Sequence, residues 1–562
     1  MSRSSRVKGG NPWHLFTLTF FVIAITLVAR HCYPELRIVQ QSQHQYWRRV
    51  NLKSTRGIIQ DTRGNALVIS DSLPSFAVDP SMITSDDIEK LSTVIDDEST
   101  LEKLKASAGT RSRFLWVKRK VAGTEAEKFN ALRKEVPGLY SIEEQYRRYT
   151  NQGLMSHVLG FCNLDNRGLA GIEQTWDNAL YSPPGQRTVV RRQGSQPASL
   201  LEQEPERRSV TPVVTLTLDT RIQYVVEKHL FSAAEKDNAK WAACVCMNPM
   251  TGEILAMASY PAFDASNRRD LVSDMLLNSV ISRGYEPGST FKPIYMGIAL
   301  ERGWVEKDEI FTCPARFKVA DAYITESSPV SFGNIDTEEI LIKSSNVGMA
   351  QIGIRADKSK TYESLLAFGF GQESDIELPG VSKGILPYPE NWRGVVPANI
   401  AIGQGLAVTP LQLTTAMAAI VNGGKLISPY VVKEAMNSTG DIIYKGEPEV
   451  LREVLTPETT EWLRNAMRNV VLEGTGKRAA TTVTDIAGKT GTAQVPEKGK
   501  YSATRYVASF IGFWPYEDPK YLMLIVIGEP SSGRIYGGEL AAPPFKAIVE
   551  EMAELEYYSQ AK

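Results

Sequence analysis

Ile486-Ala-Gly-Lys489-Thr-Gly-Thr492-Ala-Gln-Val495 reads as a β-strand, and strand candidates at 506–513 and 521–527 follow it over short links. Links that short join antiparallel neighbours, because a parallel crossover takes a dozen or more residues. A helix is predicted at 542–555. Upstream, a strand at 214–218 and a helix at 220–238 precede a hairpin of 242–247 and 253–259 that turns at Asn248-Pro-Met-Thr-Gly252. The pattern predicts an α/β (α+β) domain over 213–562, an antiparallel sheet covered by helices, with Lys489-Thr-Gly-Thr492 on an edge strand. An extended peptide can pair with such an edge. Gly491 permits close backbone approach, and Thr490 and Thr492 offer hydroxyls to a terminal carboxylate.

Two further motifs come earlier in the same domain, Ser289-Thr-Phe-Lys292 and Ser344-Ser-Asn346. Any one of the three is weak alone, whereas the ordered set marks an acylating serine enzyme. Pro287-Gly288 ends one segment and a helix is predicted over 289–300, stopping near Gly303, with Pro293 tolerable in the first turn. Ser289 then lies at a helix N-terminus, where free N–H groups favour a developing oxyanion. Lys292, one turn on, is placed to take the hydroxyl proton. A lysine that does so near neutrality must bind its proton about 4 kcal/mol less tightly than usual. Desolvation and a like charge can supply this, and Lys489 is the candidate charge.

The histidine inventory agrees. His14, His31, His44, His157 and His229 all precede Ser289, so a Ser-His-Asp triad would have to recruit an upstream histidine. His157 reads as structural. A net charge of -1 argues against a nucleic-acid partner. Five cysteines give no disulfide framework, Cys244 and Cys246 fall on one face of a strand as buried thiols, and neither a metal nor a cofactor is called for.

Arg3, Arg6 and Lys8 precede an uncharged stretch at 9–29, apolar from Leu15 onward. A bilayer span takes about 20 such residues. The organisation expected is therefore a cytoplasmic tail at 1–12, a transmembrane anchor at 13–32, a pedestal with its connector at 33–212, and the catalytic domain at 213–562 outside the cytoplasm. Arg30-His31 follows the apolar core, so the anchor is expected to be retained rather than cleaved. Helices are predicted at 86–97 and 124–134, and 183–212 reads as extended connector.

Glu286-Pro-Gly-Ser-Thr-Phe-Lys-Pro293 resembles the active-site segment of class B penicillin-binding proteins almost letter for letter. Arg56-Gly-Ile-Ile-Gln-Asp61-Thr-Arg-Gly64, Arg147-Arg-Tyr149 and Gly168-Leu-Ala-Gly-Ile-Glu173 resemble that family's pedestal motifs, with Thr62 where an arginine is usual. Tyr260-Pro-Ala-Phe-Asp264, Ile376-Glu-Leu-Pro-Gly380, Gly403-Gln-Gly-Leu-Ala-Val-Thr-Pro410 and Gly537-Gly-Glu-Leu-Ala-Ala-Pro-Pro544 extend the likeness over nearly the whole chain. The chain looks most like the cell-division, FtsI type.

That resemblance implies a five-stranded sheet and D,D-transpeptidation of peptidoglycan stem peptides, with β-lactam antibiotics as inhibitors. It implies Ser289 as nucleophile, Lys292 as base, Ser344 as proton relay, Asn346 orienting the substrate amide and Lys489 supplying positive potential. The N–H groups of Ser289 and Thr492 would form the oxyanion hole. It also implies a membrane glycosyltransferase of the FtsW kind and other division proteins as partners in the cytoplasmic membrane. Elongation types often carry Asp where Asn346 stands, and spore types often add small C-terminal domains. A β-lactamase would need a deacylating group, and no Glu-x-x-Leu-Asn lies between Asn346 and Lys489.

Overall fold

A computed structural model describes residues 20–26, 28, 47–51, 56–151, 153–181, 186–190, 210–267, 271–327, 330–497 and 500–560. The chain divides into two compact units, Met1–Ser54 with Pro183–Ser209, and Thr55–Ser182 with Val210–Lys562. In the first, residues 20–26 and 28 are helical. The rest of the expected anchor, and the tail at 1–12, lie outside the described residues. Among the described residues no helix is long and apolar enough to cross a membrane. Strand Trp47–Asn51 pairs antiparallel with Gln186–Val190, so part of the expected connector is strand; 191–209 lies outside the described residues.

In the second unit, a five-stranded sheet has the order Ile254–Tyr260, Trp241–Met247, Tyr521–Gly528, Lys500–Trp514, Ala487–Glu497. Every neighbouring pair is antiparallel. The centre is apolar on both faces because both faces are covered. Cys244 and Cys246 point with Phe510 and Ile525 toward helices Thr220–Lys236 and Ala542–Gln560, and Val245, Ile511 and Leu524 belong to the larger core on the other side. Both cysteines are buried and free.

The strand predicted at 214–218 exists as Val213–Leu216, but it leaves this sheet. It runs parallel to Ile58–Gln60 and antiparallel to Val432–Met436, in a seven-stranded sheet that continues through Ala66–Val78 to Leu115–Lys118 and Leu139–Tyr149. Pedestal and catalytic domain therefore share one hydrogen-bonded ladder. The helix predicted at 86–97 stops at Ser92, since Asp97 caps a second helix, Glu98–Ser107, by accepting from the N–H groups of Ser99 and Thr100. The helix predicted at 124–134 is Gly123–Leu132. These helices enclose a small core in which Phe76 and Phe129 stack at 4.7 Å.

The pedestal motifs meet in one buried cluster. Glu173, with no exposed surface, accepts from Arg56 Nε at 2.6 Å and Arg147 Nε at 2.8 Å, and Asp177 takes Arg56 Nη1 at 2.6 Å. Asp61 is also buried and accepts from Asn65, Arg63 N and Thr220, so it has partners without the usual neighbouring arginine. Thr62 instead accepts from Lys433 Nζ at 3.2 Å. His157 is held by Met275 O at 2.9 Å, and burial pushes its imidazole down to about 4.

Candidate active site

Ser289 sits in a 3₁₀ turn, Gly288–Phe291, that leads into helix Lys292–Glu301. The helix therefore starts three residues later than expected, with the nucleophile candidate in its approach turn. Gly303, at φ +66, ends it. Gly288 has φ +55, and a Cβ there would stand 2.8 Å from Thr492 O. A side chain on Gly491 would meet Thr290 Cγ2 at 2.8 Å, Pro287 O at 3.0 Å and the Ser509 hydroxyl. Two glycines thus let the Lys489 strand and the Ser289 turn lie in contact, which gives Gly491 an internal role besides access for substrate.

Ala487–Glu497 is an edge strand, as its reading predicts. Thr492 O faces Gly288. In an antiparallel ladder a residue's C=O and N–H point to the same side, so the Thr492 N–H also lies on the open edge beside Ser289. Thr490 and Thr492 alternate with Lys489 and Gly491. The Thr490 hydroxyl lies 2.6 Å from that of Thr475, and Thr492 Oγ1 accepts from Gly537 N at 3.1 Å.

Ser344 lies between helices Thr337–Ile342 and Asn346–Arg355, with φ +59, a left-handed backbone that a serine adopts at a cost. That turn delivers its side chain to both lysines. Lys292 Nζ donates to Ser344 O at 2.7 Å and to Asn346 Oδ1 at 2.8 Å, and lies 3.4 Å from Ser344 Oγ. Lys489 Nζ donates to Ser344 Oγ at 2.9 Å and to Thr490 O at 3.3 Å. Asn346 Nδ2 donates to Thr325 O at 3.0 Å, which fixes which way the amide faces.

Neither lysine has exposed surface. Desolvation pushes Lys292 down to about 7, against the opposing field of Glu326. Lys489 falls well below the ordinary lysine value, through desolvation first and the Lys292 charge second. Desolvation is the larger cause, and the repulsion between the two amines acts on the pair, as the expectation of desolvation with a like charge from Lys489 has it. A neutral Lys292 spends its two N–H groups on two carbonyl oxygens and keeps a lone pair to accept a hydroxyl proton.

Glu326 was not legible as part of the site. It is 6 % exposed and accepts from Ser345 Oγ at 2.6 Å, Asn346 N at 2.7 Å and Val347 N at 3.2 Å. A lone glutamate 18 residues before Ser344 carries no spacing signal. Glu286, three residues before Ser289, accepts from Gly405 N at 3.0 Å and Tyr501 Oη at 3.4 Å, and burial raises its carboxyl to about 7. Among the described residues no cluster suits a metal ion.

Residues 242–550 match the family model described as the penicillin binding protein transpeptidase domain, and residues 51–209 match the penicillin-binding protein dimerisation domain. Stage V sporulation protein D of Bacillus subtilis is 32 % identical over 542 residues, 94 % of this chain and 83 % of that protein. The peptidoglycan D,D-transpeptidase FtsI of Escherichia coli K12 is 28 % identical over 523 residues, 91 % and 85 % of the two chains. Among solved structures, penicillin binding protein 3 of Mycobacterium tuberculosis complexed with aztreonam superposes with a TM-score of 0.69 at 26 % identity, covering 90 % of this chain and 97 % of that one.

Proposed function

The chain belongs to the penicillin-binding protein transpeptidase family, and from that premise we propose that it cross-links peptidoglycan as a serine D,D-transpeptidase. Ser289 Oγ attacks the carbonyl of the penultimate D-Ala of a stem peptide while Lys292 takes its proton. The N–H groups of Ser289 and Thr492 hold the oxyanion. The terminal D-Ala leaves with a proton relayed through Ser344, and the acyl ester remains on Ser289. An amine of a second stem peptide attacks that ester and gives its proton to Lys292, which returns it to Ser289 Oγ as the C–O bond breaks and the free serine is restored. Asn346 holds Lys292 as well as substrate, and Lys489 Nζ donates to Ser344 Oγ and orients that hydroxyl for the relay. The observation that carries this reading is the buried junction in which Lys292 and Lys489 meet at one serine hydroxyl. β-Lactams would acylate the same serine.

Fluorescent penicillin labelling of the full chain tests the reading. The parent should label, and Ser289→Ala should not. A labelled Ser289→Ala protein would overturn it.

The apolar stretch supports a single anchor at 13–32, with the N-terminus in the cytoplasm and the catalytic domain outside. The family supports work in septal wall synthesis beside a membrane glycosyltransferase of the FtsW kind and other division proteins, with the pedestal as docking element. Charge reversal at exposed Glu102, Lys103 and Lys105 should then abolish division or co-purification of that partner while penicillin labelling persists. If every such variant divides normally and no glycosyltransferase co-purifies, the pedestal is only a spacer. The likeness to stage V sporulation protein D favours a second reading, a role in the spore wall. Depletion in the native cell separates them: filaments indicate division, and normal division with defective spores indicates sporulation.

A further inference from the structure

We infer that Glu326 is a positioning residue of the transpeptidase reaction, one whose carboxylate holds the Ser344-Ser-Asn346 turn and sets the field in which Lys292 works. The inference rests on the reading of Lys292 as base.

The residue directly follows a short ribbon, Arg316–Val319 with Ala322–Thr325. Its own N–H donates to Ala315 O at 3.3 Å, which fixes its backbone to that ribbon. The preceding residue supplies the carbonyl that takes Asn346 Nδ2, so two consecutive positions hold opposite ends of Asn346. One carboxylate oxygen accepts from Ser345 Oγ and Val347 N, and the other from Asn346 N. Two of these donors are N–H groups at the start of helix Asn346–Arg355, which have no helical acceptor, and the helix dipole favours an anion there. The third is the hydroxyl of Ser345, which also caps that helix through Gly348 N.

Ser344 alone would not hold its position. Its left-handed backbone relaxes unless the residues on both sides are held. Glu326 holds the C-terminal side, since Ser345, Asn346 and Val347 all bind it. If the turn relaxed, Ser344 O and Asn346 Oδ1 would move off Lys292, and Ser344 Oγ would leave the point where the two lysines meet. The second effect is electrostatic. The titratable groups around the carboxylate are Lys292 on its own helix and Cys313 on strand Ile310–Cys313, with Lys343 acting on Cys313 and Lys489 facing Lys292. Glu326 favours the protonated form of Lys292, whereas burial opposes it.

The two effects are separable. In the full chain, acylation by fluorescent penicillin is followed against pH for the parent, Glu326→Ala, Glu326→Gln and Glu326→Asp. Glu326→Ala should slow acylation roughly 10²-fold, the scale of a misplacement near 1 Å. Glu326→Asp should recover most of that loss. Glu326→Gln removes the charge, so the rise of the rate with pH should move about one unit toward acid, a displacement that loss of packing does not produce. Acylation by Glu326→Ala within about twofold of the parent, or an unmoved rise in Glu326→Gln, would overturn the inference. If Glu326→Ala does not fold, the other two variants decide. A parent whose rate has no rise near neutral pH would instead refute Lys292 as base.

Discussion

Lys292 and Lys489 direct their side-chain nitrogens at one hydroxyl, Ser344 Oγ, at 3.4 and 2.9 Å, and neither lysine has exposed surface. Two buried ammonium groups repel each other, and both are disfavoured by burial. The pair therefore titrates as a unit. Burial favours a neutral Lys292, whose two N–H groups then bind Ser344 O and Asn346 Oδ1.

Acylation should follow the neutral form of Lys292. Its folded value is lowered to about 7 by burial. Below that value the amine is protonated and cannot accept the Ser289 proton, so the rate should fall tenfold per pH unit there and level off above it. Stopped-flow acylation against pH measures this. A rate independent of pH across the neutral range would rule Lys292 out as base.

Replacing Lys292 by Ala should slow acylation by about 10²- to 10⁴-fold, the range of a lost general base. Ser289→Ala should remove it altogether. Both are read by the same labelling gel. Lys489→Ala is expected to retain folding, since it removes a buried amine whose depressed proton affinity marks it as costly to hold, and to lose acylation.

Gly491→Ala should be nearly as damaging although it adds one methyl group. The new Cβ would meet Thr290 Cγ2 at 2.8 Å and Pro287 O at 3.0 Å, as well as the Ser509 hydroxyl. Neither side can yield without moving the edge strand off the Ser289 turn. Overpacking of this kind costs about 1–3 kcal/mol, and a misplaced nucleophile costs roughly 10²-fold in rate. Thermal melting and labelling measure the two separately; parent-like labelling would show that the turn adapts.

The motifs that carry chemistry were readable because each is local: Ser289 to Lys292, Ser344 to Asn346 and Lys489 to Thr492 each span one turn or one short strand. What was not readable depends on partners far along the chain. Periodicity marked 214–218 as a strand but could not say that it pairs with Ile58–Gln60 rather than with the catalytic sheet. Gln186–Val190 lay in a polar stretch whose pairing with Trp47–Asn51 no local signal announces. Asp97 looked like the end of a helix, and its side chain begins the next one. Glu326 has no motif at all, because its role comes from three donors brought to it by the fold.

The shared ladder makes pedestal stability matter to the catalytic domain. Glu173 is wholly buried between Arg56 and Arg147. Glu173→Ala leaves the buried Arg147 guanidinium without its counter-charge and Arg56 with Asp177 alone, a change that costs about 3–5 kcal/mol. Because Ile58–Gln60 pairs with Val213–Leu216, the loss should lower the melting temperature of the catalytic domain as well, seen as earlier loss of penicillin labelling on heating. Labelling that survives to the parent's temperature would show that the two parts melt independently.

The penicilloyl ester on Ser289 should hydrolyse slowly. Deacylation by water needs an ionised carboxylate with a free lone pair close to the ester. Buried Glu326 and half-buried Glu286 flank the site. Glu326 has both oxygens committed to Ser345, Asn346 and Val347. Glu286 accepts from Gly405 N and Tyr501 Oη on one oxygen, and burial raises it to about 7, so at neutral pH about half of it stays protonated and those two contacts hold the carboxyl to their side. With Glu326 committed and Glu286 held to Gly405 and Tyr501, the ester is expected to persist until an amine arrives, which is the behaviour a transpeptidase needs and a β-lactamase lacks. Intact-mass spectrometry after mixing with penicillin should show a single adduct on Ser289 lasting many minutes. Turnover of many equivalents of antibiotic would mean that a water is activated after all, and Glu286→Gln would then show whether Glu286 is the group responsible.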